Sequence, residues 1–465
     1  MAELVPGVFP VGGRRLVVYV VYDRRGDVDE YIPFALAGLR EHASRILVVV
    51  NGSLTDEGRR ALEPVADEVL VRENVGFDIW AHKAALDHVG EGIAEFDEVV
   101  LTNDTWFGPV RPFGPVFERM DARAVHLWGM TDHAREVPNP FTGKGVLPYH
   151  LQSFWIAARR ELFLSEAWAR YWRELPAMPE YFDAVLGHEV VFTERFTSQG
   201  YTSGVAYPSA DYPTDHPALF NPDLLLADGC PVVKRRPFFH YPPFLDRHAV
   251  VGRQNLERIA AYGYPVDVIL QNFARTVAPK ILNTDAGMLE VLPDVDVTDG
   301  ETSSLRLVVV MHVGAGDRPD DLLARLAVIP VPFDLVATTP ASRESASIRS
   351  AIAAAGLENL GSSEVRVVPS DSGRDMSAFF VACRDVLEGD RYDLVLKVHT
   401  RVPSKRSHSS ARYFRRHQLD NLLGSPGYVA NVLDLFRRER GLGVVFPPTI
   451  HIGYSTLGQG WGPYR

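Results

Sequence analysis

The stretch "VRENVGFDIWAHKAALDHVGEGIAEFDEVVLTNDT", residues 71–105, changes character three times. Strand-like residues give way to Asn74-Val75-Gly76-Phe77-Asp78, then to apolar residues at helical spacing, then to an apolar run at 99–101 that stops at Asn103-Asp104-Thr105. Strand, helix and strand in one short segment predict a parallel pair joined by a crossover. A buried strand that ends on an amide, a carboxylate and a hydroxyl also poses a functional question, because parallel sheets bind their ligands at the carboxyl ends of the strands.

Working outward, apolar runs near residues 16–22, 46–50, 68–71 and 98–102 alternate with amphipathic helical patterns, the signature of an α/β sheet. Their carboxyl ends carry Asp23, Asn51-Gly52-Ser53, the segment from Asn74 through Gly76 to Asp78, and Asn103-Asp104-Thr105. Four polar clusters therefore converge on one edge of the sheet.

The pattern returns later in the chain. "RLVVYVVYDRRGDVDEYI" from Arg15 pairs with "RLVVVMHVGAGDRPDDLL" from Arg306, Gly76-Phe77-Asp78 with Gly373-Arg374-Asp375, and "FDEVVLTND" from Phe96 with "YDLVLKVHT" from Tyr392. The offsets of 291, 297 and 296 residues stay nearly constant, as a duplicated α/β unit requires. Residues 1–210 are expected to form the first unit and 301–465 the second. Between them, 211–300 is proline- and aromatic-rich and then helical, and reads as a partly helical connecting segment; the acidic stretch "LPDVDVTDGETSS" is its most linker-like part.

Length and composition agree with such an arrangement. A chain of 465 residues exceeds one ordinary core. Its 46% hydrophobic and 23% charged content is that of a globular protein. The formal charge of −11 excludes a broad nucleic-acid footprint. Cys230 and Cys383 lie far apart and read as buried thiols rather than a disulfide or a metal site. No apolar run approaches the roughly 20 residues of a spanning helix, and "MAELVPGVFPVGGRR" lacks the layout of a signal peptide, so a cytoplasmic location is expected.

The order of the clusters resembles family-two glycosyltransferases of the GT-A fold, which place "DNGS", "N-x-G" and an Asp-x-Asp or "NND" motif where this chain has "VVNGS", "ENVGFD" and "TNDT". Further on, "HEVVFTERFTSQGY" (188–201) resembles their "EDVDLxLRxxxxGY". The whole arrangement, with "NDTWFGP", "SGRD" and "KVHTR", is similar to the rhamnan synthesis protein F family. The resemblance implies two tandem GT-A/Rossmann-like units with mostly parallel sheets and an inverting, metal-assisted glycosyltransferase, by family name a rhamnosyltransferase, extending a lipid-linked cell-surface polysaccharide.

It also implies roles. Glu189 stands at the catalytic carboxylate and would be the general base. Asp104 would bind Mg²⁺ or Mn²⁺ and, with it, the diphosphate of a nucleotide sugar such as dTDP-rhamnose. Asp23, Asn51, Asn74, Gly76, Asp78 and Asn103 would line the donor site. Two departures stand out: Val50 replaces the aspartate before "NGS", and Thr102 the first acid of Asp-x-Asp, leaving a single motif carboxylate for a metal that commonly needs only one or two. Each residue has a plainer reading as well, Asp104 as a turn cap and Glu189 as a charge at a helix start. Trp106, Phe107, Trp128 and Trp155 read as core; His150 and His188 carry no assignment.

In the second unit His399-Thr400 replaces the amide and carboxylate, and the chain ends at "GQGWGPYR" before any counterpart of "HEVVFTERF", so this unit reads as degenerate and truncated. A run without acids instead gathers Lys397, Arg401, Lys405, Arg406, Arg412, Arg415 and Arg416. It is either a solvated face or a patch for an anionic partner, such as a polyprenyl-diphosphate acceptor, a phosphate-bearing glycan or the inner membrane leaflet, which would hold the protein at the membrane's inner face. The competing reading of the whole chain is a non-catalytic glycan-binding scaffold built from decayed transferase units.

Overall fold

The structure, a computed structural model, describes residues 4–240, 250, 252–278, 281–282, 290–293, 295, 305–368, 373–400 and 415–448. The chain divides into two compact units, Met1–Met288 and Leu289–Arg465. Most of the segment expected as a connector, up to Met288, thus belongs to the first unit.

The strands of the first unit are β1 (Arg15–Tyr22), β2 (Arg45–Asn51), β3 (Glu68–Arg72), β4 (Glu98–Asn103), β5 (Trp106–Phe107), β6 (Leu127–His133), β7 (His150–Leu151), β8 (Trp155–Arg159), β9 (Ser203–Tyr207) and β10 (Val233–Lys234). Its main sheet runs β3-β2-β1-β4-β8-β6-β7, with β9 added beside β6. The first four strands are parallel; β8 lies antiparallel between β4 and β6. β5 and β10 pair separately and antiparallel.

Residues 16–21 of β1 are buried without alternation, as expected of a central strand covered on both faces. On one face Leu16, Val18 and Val20 pack with Leu47, Val49, Val99 and Leu101 against Ile79, Ala81 and Ala85 of helix Phe77–Val89 and against Phe192 and Phe196. On the other, the ring of Trp106 packs against Tyr19, Phe113 and Trp155, all buried, which agrees with the core reading of the tryptophans. Both cysteines are free and buried.

At the amino end of β4, Glu98 is 0% exposed and faces two buried guanidinium groups, Arg15 at 2.5 Å and Arg159 at 3.0 Å, with Trp128 Nε1 donating at 2.8 Å. The ionic anchor thus sits at the opposite end of the strand from Asn103 and Asp104.

The second unit has four parallel strands, β11 (Leu307–His312), β12 (Phe333–Thr339), β13 (Leu360–Val367) and β14 (Leu394–His399), in the order β13-β12-β11-β14. That is the order of β3-β2-β1-β4 in the first unit. Among the described residues no helix is long and apolar enough to cross a membrane.

Glu98→Ala should lower stability by about 3–5 kcal/mol, since it leaves two buried cations with only the half-buried Asp121 as counter-charge. Arg60→Ala, which breaks an exposed pair with Glu57, should change it by less than about 0.5 kcal/mol. Urea denaturation of the two variants checks the contrast.

Candidate functional site

The site begins where the chain turns from β3 into helix Phe77–Val89. Gly76 and Phe77 both adopt left-handed backbone, φ 73° and 59°, and a Cβ on Gly76 would fall 2.1 Å from Trp80 Cδ1, so only glycine fits there. A non-glycine residue such as Phe77 held at positive φ is costly and has to be enforced by its surroundings. Asn51 does part of this: its Nδ2 donates to the Phe77 carbonyl at 2.9 Å, and its Oδ1 accepts from Arg72 at 2.5 Å. Asn51 therefore shapes the loop and has no side-chain polar atom uncommitted. Asn74 is exposed on the same loop.

The loop delivers Asp78 to the end of β4, where Asn103 Nδ2 donates to its Oδ2 at 2.5 Å. Asn103 Oδ1 accepts from Thr105 Oγ1 at 2.6 Å, and Thr105 Oγ1 accepts from Lys234 Nζ at 2.7 Å. A single hydrogen-bonded line, Asp78–Asn103–Thr105–Lys234, crosses the carboxyl edge of the sheet.

Asp104 lies beside it, 8% exposed, its Oδ2 accepting from the Tyr22 amide at 3.2 Å. Burial pushes its carboxyl from 3.8 up to about 6; Arg235 and the Tyr22 amide oppose the rise, and the charge of Asp78 adds to it. Two neighbouring carboxylates at a strand end, one of them destabilised as an anion, make a partial cation site. The described residues contain no group of three or more His, Cys, Asp or Glu able to hold a metal, so a divalent ion there would draw its remaining oxygens from substrate and water. Thr102 adds none: it is fully buried, its Oγ1 donating to the Phe154 carbonyl at 2.7 Å and accepting from Trp106 Nε1 at 3.0 Å.

Glu189 closes a π-helical turn, Val185–Glu189, that leads into helix Val190–Thr197. Such turns are frequent at functional sites. Its Oε1 accepts from the Ser153 amide at 3.1 Å, and its charge opposes the lowering that burial imposes on His150 and on Lys234. His150 stacks on His133 at 5.2 Å, and His216 meets His133 edge-on at 5.1 Å, which puts a cluster of rings beside Glu189. His188 is elsewhere, bonded to Tyr171 Oη at 2.6 Å in the core.

Asp23 differs from its expected role. Its Oδ1 accepts from the Arg25 and Asp27 amides, and its Oδ2 pairs with Arg275 at 2.7 Å. Arg275 also binds Asp29, so Asp23 is a tie between the end of β1 and helix Val266–Thr276 rather than an uncommitted donor ligand.

The sequence reading missed the contribution of "KRR", residues 234–236. Pairing of β10 with β5 sets Lys234 opposite Trp106, and the Arg235 amide donates to the Thr105 carbonyl at 3.0 Å. Arg235 then spreads over Tyr31 Oη (2.7 Å), the Asp104 carbonyl (3.1 Å) and Asn272 Oδ1 (3.0 Å). Burial lowers the Lys234 ammonium from 10.5 to about 8, with Glu189, Asp78 and Asp104 pulling it back up. One lysine thus feels all three candidate carboxylates. A tribasic run in a proline-rich segment was the available signal; nothing in its spacing ties it to residue 104.

In the second unit Thr400 takes the place of Asp104: its Oγ1 accepts from the Gly314 amide at 3.0 Å and donates to Asp317 at 2.7 Å. Of the basic run, Lys397 pairs with Asp375, Arg415 with Asp321 and Arg416 with Asp420. These three are committed to acids of their own unit. Arg401, Lys405, Arg406 and Arg412 lie outside the described residues.

Residues 46–465 match the family described as Rhamnan synthesis protein F. The chain belongs to that family. Membership in that family supports a glycosyltransferase. No curated protein matches it. Among solved structures, the glycosyltransferase GlyE of Streptococcus pneumoniae TIGR4 is similar at 14% identity over 86% of this chain and 91% of that one, with a TM-score of 0.31. The mannosyltransferase PcManGT of Pyrobaculum calidifontis, in complex with GDP-Man and Mn²⁺, is similar at 15% identity over 75% and 87%, TM-score 0.30. Glucosyl-3-phosphoglycerate synthase of Mycobacterium tuberculosis is similar at 19% identity over 33% of this chain and 59% of its own length, TM-score 0.23.

The raised carboxyl of Asp104 has a thermodynamic consequence in this family member. Between pH 3.8 and about 6 the folded state keeps a proton that the unfolded chain has released, so stability falls as pH rises through that window. Asp104→Asn should therefore stabilise the metal-free protein by about 2–3 kcal/mol at pH 7.5, and the gain should vanish below about pH 4. Thermal denaturation at the two pH values in EDTA measures it.

Proposed function

We propose that the protein transfers a sugar, by the family's description a rhamnosyl residue, from a nucleotide-sugar donor to the growing chain of a lipid-linked cell-surface polysaccharide, in one inverting displacement. The observation that carries this reading is the hydrogen-bonded line from Asp78 through Asn103 and Thr105 to Lys234 at the carboxyl edge of the sheet, with Asp104 beside it. The Glu189 carboxylate takes the proton of the acceptor hydroxyl. The freed oxygen forms its bond to the anomeric carbon as the bond to the diphosphate breaks, and the nucleoside diphosphate leaves from the opposite face. Glu189 is held for this by the Ser153 amide, and Asp78 by Asn103. Asp104 and Asp78 would hold a divalent ion, which when bound neutralises charge on the diphosphate. The donor fitting the family's description is dTDP-rhamnose. The same reading has the enzyme work in the cytoplasm at the inner face of the membrane.

Calorimetric titration with dTDP-rhamnose, UDP-glucose and GDP-mannose, in Mn²⁺ and in EDTA, should find one donor whose binding needs the metal. Glu189→Gln should then lower turnover by about 10²–10⁴-fold and leave donor affinity within about threefold of the parent. Asp104→Asn should lower both. Unchanged turnover in both variants would overturn the assignment, and absence of donor binding in every condition would return the scaffold reading.

A further inference from the structure

We propose that Lys234 is a ligand of the donor's diphosphate, a fixed cation at the edge where the strand-end motif lacks its first acid; the role rests on the transferase reading above. The geometry supplies the argument. Thr102, at the position of that acid, is sealed in the core with its hydroxyl engaged twice, so the strand end carries one carboxylate fewer than the motif normally provides. Lys234 arrives at the same edge from a segment more than a hundred residues later, and its backbone is held by pairing with β5 and by the Arg235–Thr105 contact. Its Nζ lies 4.2 Å from the Phe154 ring centroid and, among the described residues, makes one hydrogen bond, to Thr105 Oγ1.

An ammonium has three donors. Among the described residues Lys234 forms no ion pair and is half-buried, with the charges of Glu189, Asp78 and Asp104 acting on it from beyond contact. With one donor spent on Thr105, the ammonium keeps donors for a phosphate oxygen. Its neighbours in sequence are differently committed: Arg235 is held by Tyr31, Asn272 and the Asp104 carbonyl, and Arg236 donates to Tyr181 Oη at 2.6 Å. Of the three, Lys234 is the one bonded into the line of side chains at the strand end, and a compact ammonium suits a phosphate oxygen.

The test titrates the full chain with dTDP, UDP and GDP, and with thymidine, uridine and guanosine, in MgCl₂. The parent protein should bind one diphosphate. Lys234→Met and Lys234→Gln should weaken that binding by about 10–100-fold, while affinity for the matching nucleoside changes by less than about threefold and Lys234→Arg restores most of the loss. A purely structural lysine would lower both affinities together. Parent-like diphosphate binding by either neutral variant would overturn the proposal and leave the transferase reading standing. If the parent binds no nucleoside diphosphate, that reading falls and the role of Lys234 with it.

Discussion

The site depends on one guanidinium. Arg235 joins Tyr31, which opens the first helix, to the carbonyl of Asp104 at the end of β4 and to Asn272 in helix Val266–Thr276. These groups are up to 241 residues apart in sequence, and each would be a buried or half-buried polar atom needing a partner. A planar fork with five donors serves all of them at once. Arg275 repeats the device one turn further along the same helix, gathering Asp23 and Asp29. Together the two arginines bind the helical segment to the carboxyl edge and hold Lys234 beside Thr105.

The chemistry at that edge is set by burial as much as by residue type. Asp104 is pushed toward neutrality and Lys234 toward deprotonation by the same loss of solvent. The charged form of each would be favoured further by a ligand of opposite sign, a metal for the first and a phosphate for the second. A site poised in this way is destabilising when empty, which is a common feature of functional centres. Part of the same cost appears in the backbone, where Gly76 and Phe77 are in left-handed conformation and the Asn51 side chain holds the Phe77 carbonyl.

The second unit shows how far a shared strand order constrains function. Its Arg374 has φ 55°, as Phe77 has 59° in the first, and an amide following its first strand meets residue 400 as the Tyr22 amide meets residue 104. Yet Thr400 carries no charge to offer, and Asp375 is neutralised by Lys397 rather than bonded to an asparagine. The backbone route to the strand edge is alike in both units while the edge chemistry is not.

Much of this was legible in the chain itself. Apolar runs and their punctuation locate β1 to β4 to within a residue or two, because a parallel strand buried on both faces must be apolar throughout and must stop where the sheet meets solvent. The same reading places Asp78, Asn103 and Asp104, since local turn chemistry sets where each sits, whereas Glu189 is singled out by the resemblance of residues 188–201 to a family motif. What it could not reach is which polar groups are already spent. Asp23 and Asn51 look like ligands by position, but Arg275 and Arg72 occupy them. Lys234 looks like part of a basic turn and stands at the centre of the site. Sequence alone determined where the carboxyl edge lies and which residues end there. The tertiary structure alone decided which of them remain uncommitted, because that depends on side chains brought from more than a hundred residues away by an antiparallel pairing two residues long.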